Sequence, residues 1–157
     1  MEMALQHRAA VSDLKEHIGF WLRLVSNHVS HGFAAKLQAS GVTVAEWVVL
    51  REMFDAASLV PSELAESIGL TRGAVSKLVD RLLHKGLLTR IERNDDRRFQ
   101  SIALTASGCS LVPKLAALAD ENDATFFASL SAKEREALVA TLKKLVRANQ
   151  LTKIPIE

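Results

Sequence analysis

Basic side chains crowd one short stretch of this 157-residue chain. Residues 71–98 hold eight Lys and Arg against four Asp and Glu, a net charge of +4, whereas the whole chain carries only +2. Ammonium and guanidinium groups concentrated in this way bind phosphate anions, and such a patch is the electrostatic footprint of a nucleic-acid binder. The stretch therefore predicts contacts with phosphates and base edges.

Other kinds of chemistry find little support in the residue pattern. The chain lacks a Gly-rich phosphate loop, a nucleophile elbow and an HExxH helix, and its adjacent carboxylates Asp95 and Asp96 fall in an expected solvent-exposed hairpin tip. His28 and His31 supply at most two metal ligands, and the single Cys109 excludes an intramolecular disulfide or a multi-cysteine zinc site. The sequence predicts no enzyme, no metal and no cofactor.

Composition favours one globular unit. Hydrophobic residues make up 48% of the chain and charged residues 24%, which argues against wholesale disorder. Glu2, Asp13 and Glu16 stand where a secretion signal needs positive charge and then an apolar run, and no stretch reaches the roughly 18 apolar residues of a membrane span. We expect a cytoplasmic protein without membrane contact.

The elements before the basic stretch are predicted to be helices. Apolar residues recur at intervals of three and four from Ser12 to His31, typical of one amphipathic helix. His31-Gly32 predicts a break, followed by a short helix that begins near Phe33 and stops at Ser40-Gly41. Thr43 and Glu46 form a capping-box pattern, which predicts the start of a third helix.

Two short helices separated by a tight turn are predicted over residues 61–85, and the second of them opens the basic stretch. Pro61 suits the opening turn of the first helix, which extends to Ile68, and Gly69 can take the positive φ that the turn requires. Thr71 can cap the second helix, over residues 71–85, which Gly86 ends. The small side chain of Ala65 lets the two helices approach closely, so the pair predicts a helix-turn-helix.

A hairpin and two helices complete the chain. Residues 88–93 and 99–104 alternate with a period near two around a polar tip, which predicts two strands. Thr105 can cap a long helix from Ala106 to about Phe127, in which Pro113 predicts a bend or a later start. A capping box of Ser131 and Glu134 opens the last helix. The apolar stripe of that helix, which requires a partner, comprises Leu138, Leu142, Leu145 and Val146.

This order of elements predicts a mainly α fold with a small β-wing, a winged helix-turn-helix lobe flanked by N- and C-terminal helices. The segments PSELAESIGLTRGAVSKLVDRLLHKGLL (61–88) and RIERNDDRRFQSIALT (90–105) resemble the MarR family of transcriptional regulators. The resemblance implies a single domain over residues 1–157, with a dimerisation region at 12–41 and 106–149 and a DNA-binding lobe at 43–105. It further implies a homodimer that binds a pseudo-palindromic DNA operator, most commonly as a repressor that a small molecule releases.

The resemblance also assigns roles to residues of the predicted recognition helix (71–85) and wing (88–104). Arg72, Ser76 and Lys77 match the face that enters the major groove, and Thr71 matches a phosphate contact. Lys77 stands where the family commonly has arginine, which weakens the expectation of bidentate guanine recognition. Three more residues are assigned to the phosphate backbone, the wing and the minor groove: Arg81, Arg97 and Arg98, with Asp96 supporting the wing-tip arginine.

Two further expectations follow from the family pattern. Small aromatic or amphipathic effectors bind many members between the lobe and the dimerisation helices, and the candidate lining residues here are Trp21, His28, His31, Trp47 and Arg51. Core or interface packing is the simpler role for the two tryptophans, and solvent exposure for the histidines. Redox-sensing members use an N-terminal cysteine with tyrosine partners, whereas this chain has no tyrosine, so Cys109 is expected to be an inert buried thiol.

The sequence alone also allows explanations of these charged residues that do not involve DNA. A charged helix face is often merely solvated, and the 95–98 cluster is also typical of a polar hairpin tip with weak ion pairs. Asp80 and Arg81 fit a surface or intersubunit pair better than a base-reading device, although Arg81 can also reach a phosphate. The alternative function is a helical, winged-helix protein interaction module without DNA binding, which differs from a DNA binder in lacking a steep salt dependence.

Overall fold

The computed structural model describes residues 11–92 and 100–152. A 3-10 turn at Leu14–Glu16 precedes six helices and two strands in these ranges: α1 (Ile18–Gln38), α2 (Val44–Phe54), α3 (Pro61–Ile68), α4 (Arg72–His84), β1 (Leu88–Ile91), β2 (Ser101–Leu104), α5 (Ala106–Phe126) and α6 (Ala132–Ala148). Helix, turn, helix and antiparallel hairpin follow one another as predicted, so the mainly α winged-helix class is confirmed.

The predicted break at His31-Gly32 is wrong, because α1 continues through both residues. A glycine inside a helix costs only about 1 kcal/mol relative to alanine, which tertiary packing can offset. Here α5 approaches the glycine: a Cβ on Gly32 would lie 3.1 Å from Oδ1 of Asn122. The side-chain Nδ2 of Asn122 donates to the Val29 carbonyl at 3.2 Å. Gly32 is therefore a site of close helix contact.

The capping signals that depend on neighbours in sequence are confirmed. The Glu46 amide donates to the Thr43 hydroxyl at 3.2 Å, and the Thr43 amide donates to Oε2 of Glu46 at 2.9 Å. Thr105 caps α5 by accepting from the Gly108 amide at 3.1 Å. The helix begins at Ala106 as expected and extends through Pro113, so the later start that proline suggested does not occur.

The predicted helix-turn-helix contacts are also present. Gly69 has φ 70°, the left-handed conformation that favours glycine, and the Leu70 amide donates to the Ala65 carbonyl at 3.1 Å. Leu64 and Ala65 are buried on the inner side of α3. Thr71 caps α4 by accepting from the Ala74 amide at 3.2 Å. This turn orients α4 so that its apolar stripe faces the core and its polar face points outward.

The core lies among α2, α3, α4, the hairpin and the first half of α5. Its fully buried side chains come from each of these elements and from the end of α1: Leu37, Val49, Leu50, Met53, Leu64, Val75, Leu82, Ile102, Val112 and Leu115. The hairpin pairs Leu88 with Leu104 and Ile91 with Ser101, and Leu59 forms a two-bond bridge with Ile102. The base of the wing is thus fixed to the lobe.

The outer helices are far less covered than the lobe. No residue of α6 is buried, and α1 contributes only Leu37 to the core. Large apolar side chains on both helices are exposed: Ile18, Trp21, Leu22, Leu24 and Val25 on α1, and Leu138, Val139, Leu142, Leu145 and Val146 on α6. The stripe predicted for the last helix is present, and its four side chains remain 38–45% exposed.

Candidate nucleic-acid interface

Helix α4 presents a face that we call the α4 basic face, formed by Thr71, Arg72, Ser76, Lys77 and Arg81. All five are exposed, while the opposite side of the helix buries its apolar residues in the core. Positions four apart lie above one another on a helix, so these side chains form two adjacent rows. The structure therefore brings the predicted contact residues of this helix together on one surface.

No carboxylate of the described residues pairs with the cations of this face. Within residues 11–92 and 100–152, the side chains of Arg72, Lys77 and Arg81 form no ion pair and no hydrogen bond. Their charges are available to a phosphate backbone. The N-terminus of α4 adds its helix dipole beside Thr71, and this positive end also favours a phosphate group.

Asp80, which lies among these cations, has a different partner from the one expected. Within the described part of the chain it forms no ion pair with Arg81, because adjacent helical residues point in different directions. Arg90 of β1 donates to Oδ1 of Asp80 at 3.3 Å instead. Both side chains are exposed, so the pair contributes little stability, but it joins the wing strand to α4. Only the tertiary fold brings residues 80 and 90 together.

The predicted wing-tip residues Asp96, Arg97 and Arg98 lie outside the described residues. The hairpin base is described, and it borders α4 across a shallow cavity of about 150 Å³. Ser76 and Asp80 line this cavity from α4, and Arg90 and Gln100 line it from the hairpin. The wing therefore leaves the lobe directly beside the α4 basic face.

The predicted effector-pocket residues are spread over α1 and α2. Trp21 is 49% exposed and donates through Nε1 to the Lys15 carbonyl at 2.8 Å. Trp47 is half-buried and packs edge-to-face on Phe33, with ring centroids 6.2 Å apart. Arg51 pairs with Asp55 at 2.6 Å. The two histidines, His28 and His31, are exposed. The structure thus places a tryptophan against the core and the other four at the surface, and their pocket role stays a prediction.

Cys109 departs from expectation because its side chain is exposed. It follows Gly108 in the first turn of α5, where Gly108 and Val112 face inward. The neighbouring position on a helix points about 100° away, which turns the thiol toward solvent. The prediction of a buried thiol is wrong for this geometric reason.

An ion pair at the far end of α4 was not predicted. Nζ of Lys85 donates to Oε2 of Glu46 at 2.7 Å and to the Gly41 carbonyl at 2.7 Å. Burial raises the pKa of Glu46, but the hydrogen bonds from Lys85 and Thr43 and the charges of Lys85 and Arg81 outweigh it, so the pKa lies below its ordinary value. The capping box indicated only the local role of Glu46. Its second role depends on a contact between residues 39 positions apart.

The described ranges contain neither a metal-binding cluster nor a membrane-spanning helix. No three His, Cys, Asp or Glu side chains in residues 11–92 and 100–152 are grouped to hold a metal ion. In the same residues, none of the helices combines the length and the hydropathy needed to cross a bilayer.

Comparison with known proteins shows the family to which this chain belongs. The model of the MarR family matches residues 42–99, from α2 through the wing. A protein of Thauera aromatica named for transcriptional regulation of the hcr operon is 30% identical over 158 residues, covering 94% of this chain and 95% of the relative. This chain belongs to the MarR family. It is a DNA-binding transcriptional regulator and not an enzyme.

Solved structures of MarR-family proteins agree in fold. A mutant of Escherichia coli MarR in complex with operator DNA superposes with a TM-score of 0.77 at 27% identity, over 86% of this chain and 99% of that one. Bordetella bronchiseptica BpsR, described for the regulation of its DNA binding by 6-hydroxynicotinic acid, gives 0.78 at 25% identity, over 87% and 99%. The alternative of a protein interaction module without DNA binding is not favoured by these similarities.

Proposed function

We propose that a homodimer of this chain binds a pseudo-palindromic DNA operator in the cytoplasm, represses transcription there, and releases the DNA when a small aromatic or amphipathic molecule binds. Helix α4 enters the major groove, and the wing of residues 88–104 follows the backbone into the minor groove. The single observation that carries the proposal is the α4 basic face, whose arginines and lysine have no carboxylate partner in the described residues.

Each residue of this face has a role that fits its chemistry. Ser76 and Lys77, one helical turn into α4, donate to base edges or to phosphates. Thr71 and Arg72 lie at the helix N-terminus and contact a phosphate together with the dipole. Arg81 lies one turn beyond Lys77 and reaches the sugar-phosphate backbone. At the wing, Arg97 and Arg98 contact DNA and Asp96 aligns the latter, in line with the family resemblance.

The exposed apolar stripes of α1 and α6 support assembly as a dimer. Apolar patches of this extent on soluble proteins mark protein interfaces. Both stripes belong to the helical regions 12–41 and 106–149, and a second copy of the same chain offers matching stripes to each. A two-fold dimer of this kind sets two α4 helices at the spacing of successive major grooves, about 34 Å.

Release by an effector draws support from BpsR, whose DNA binding is regulated by 6-hydroxynicotinic acid. A ligand changes DNA affinity only if it prefers one spacing of the two α4 helices over another. The proposed lining residues are Trp21, His28, His31, Trp47 and Arg51. Among them Arg51 offers a cation for an acidic ligand, and Trp47 offers an aromatic face.

The DNA contacts are tested with an operator obtained by in vitro selection with the purified protein. Fluorescence anisotropy then gives the affinities of the wild type, Arg72→Ala, Lys77→Ala and Lys114→Ala between 50 and 200 mM salt, about the range in which such binding is sensitive. Lys114 is an exposed lysine of α5 that does not belong to the α4 basic face as defined above, and its variant is the matched charge control.

We expect Arg72→Ala and Lys77→Ala each to weaken operator binding by about 1–3 kcal/mol and to reduce the salt slope by about one. Lys114→Ala should bind as the wild type does. Equal affinities for all four proteins, or binding that does not change with salt, would contradict the proposed interface.

A release screen with small aromatic acids tests the effector proposal separately. An acid that releases the operator from the wild type should lose this effect with Arg51→Ala, while the affinity of that variant for DNA in the absence of acid stays unchanged. Release of both proteins at the same acid concentration would remove Arg51 from the proposed pocket.

A further inference from the structure

The C-terminal end of α4 is held by a partly buried polar contact that we call the Lys85 clasp, formed by Lys85, Glu46 and the Gly41 carbonyl. Nζ of Lys85 donates to Oε2 of Glu46 and to the Gly41 carbonyl, both at 2.7 Å. Glu46 is only 1% exposed, and the same oxygen accepts from the Thr43 amide at 2.9 Å. The clasp thus joins α4 to the first turn of α2 and to the loop that connects α1 with α2.

A buried carboxylate without a partner is strongly unfavourable, so the clasp has one preferred geometry. Removing Glu46 from water costs free energy that its hydrogen bonds and the charges of Lys85 and Arg81 offset. Short charge-assisted bonds restrict the position of the donor more than apolar contacts do. Lys85 is the C-cap residue of α4, so this restriction acts directly on the helix end.

The neighbouring residues fix the same end from the other side. Gly86 has φ 71° and turns the chain out of the helix, and the Thr105 hydroxyl donates to its carbonyl at 2.7 Å. The Thr105 amide donates to the Leu87 carbonyl at 3.1 Å. The end of α4 is therefore held between the start of α2 and the start of α5, whereas the side chain of Arg72 in its first turn is exposed.

Because α4 is a rigid helix, a small tilt at its C-terminal end displaces its N-terminal end by a larger distance. From Thr71 to Lys85 the axis extends about 20 Å, at about 1.5 Å per residue. A tilt of about 5° at the anchored end moves the other end by roughly 1.7 Å, whereas specific contacts tolerate errors of only about 0.5 Å. Small errors at the clasp are therefore enough to misplace the side chains that read base edges.

We propose that Lys85 and Glu46 are positioning residues for sequence-specific DNA recognition, which set the orientation of α4 from the start of α2 without touching the bases. The clasp also makes the α1–α2 loop a structural neighbour of the recognition helix, so a shift of that loop changes the orientation of α4. This inference rests on the proposed insertion of α4 into the major groove.

The test uses the full-length dimer and compares Lys85→Met, Glu46→Gln and the double variant. Glutamine at position 46 keeps the capping-box pattern, so α2 retains its N-terminal signal. Anisotropy at one salt concentration gives the affinity for the selected operator and for a scrambled duplex of equal length. Lys114→Met is the charge control, and Lys85→Arg is the conservative variant that keeps a cation and its donors.

Positioning and simple electrostatics predict opposite signs for the effect of Glu46→Gln on operator binding. If Lys85 and Glu46 acted only through their charges, Lys85→Met would weaken DNA binding and Glu46→Gln would strengthen it, on both duplexes. If they position α4, both variants weaken operator binding on the order of tenfold and scarcely change scrambled-duplex binding. The double variant should then bind the operator at least as tightly as the single variant with the lower operator affinity, because both changes break the same contact.

Loss of stability has a separate signature. A smaller folded fraction lowers both affinities equally, so the ratio of operator to scrambled affinity stays constant. Lys85→Arg should keep that ratio within about threefold of the wild-type ratio. If Lys85→Met does not yield a folded dimer, Lys85→Gln is measured in its place. The inference would be overturned if Lys85→Met and Glu46→Gln changed operator affinity in opposite directions or if their effects added in the double variant. It would also be overturned if the ratio of operator to scrambled affinity stayed at the wild-type value. A failure of the proposed function is distinguishable, because then the wild type itself shows no preference for the operator.

Discussion

Replacing Gly108 by alanine tests the close approach of α5 to the chain that leaves α4. A Cβ at position 108 would lie 2.3 Å from the Leu87 carbonyl oxygen and 3.0 Å from Cδ2 of Leu104. Side-chain carbons do not approach a backbone oxygen so closely, so the two segments must separate by the better part of an ångström. The same Leu87 oxygen accepts from the Thr105 amide at 3.1 Å, and that bond lengthens when the segments separate.

The expected change in the free energy of unfolding of Gly108→Ala is the sum of opposing effects. Alanine is favoured over glycine by about 1 kcal/mol inside a helix. Forcing an extra methyl group into a packed site costs about 1–3 kcal/mol or more, and weakening the Thr105 hydrogen bond adds about 0.5–1.5 kcal/mol. We expect Gly108→Ala to lower the free energy of unfolding by about 1–3 kcal/mol, which lowers Tm by about 3–10 °C in a chain of this size.

Thermal unfolding followed by circular dichroism measures this effect, with all proteins at the same protomer concentration because assembly contributes to Tm. Gly73→Ala is the matched control, since Gly73 is exposed in α4 and a Cβ there would meet nothing within 4 Å. The control should unfold at the wild-type temperature or above it. If Gly108→Ala also unfolds there, the close approach of Leu87 to α5 is refuted.

Three further predictions concern assembly, the wing and acid stability. Leu142, 40% exposed on α6, belongs to the proposed dimer interface, so light scattering should give a monomer or aggregate for Leu142→Gln; an unchanged dimer mass would remove this residue from the interface. Arg98→Ala should weaken operator binding by about 1–3 kcal/mol in anisotropy titrations without changing Tm, and equal affinities would count against a minor-groove role. Because the pKa of Glu46 is lowered in the folded chain, its carboxylate contributes stability above the ordinary value of 4.5, and this is lost as pH falls through the folded value. Urea unfolding between about pH 6 and 3 should therefore show a shallower loss of stability for Glu46→Gln than for the wild type, and parallel curves would contradict the assignment.

Features controlled by neighbours in the chain could be predicted from the sequence. The capping boxes at Thr43 and Ser131 and the glycine turn at Gly69 depend on hydrogen bonds or torsions within a few residues. The apolar periodicity likewise identified the helices of the lobe and the inner side of α4. The exposed α4 basic face followed directly, because residues that are not on the apolar stripe of a surface helix point to solvent.

Local patterns failed where a distant segment decided the outcome. Gly32 carried a stop signal, yet Asn122 of α5 packs on it and α1 continues. Asp80 was paired with its neighbour in sequence, yet Arg90 of the hairpin reaches it. Cys109 was expected to be buried, although burial in α5 depends on which side of that helix meets the lobe.

The chain's own residue pattern determined the order of elements, the helix-turn-helix and the concentration of positive charge on one helix, because each arises from torsional preference, capping or periodicity over a few residues. Tertiary structure alone decided how the C-terminal end of α4 is held. The contact of Lys85 with Glu46 and Gly41, and the approach of Gly108 to Leu87, join segments that lie far apart in the chain. No local rule specifies such pairs, because their free energy depends on a fold that must form first.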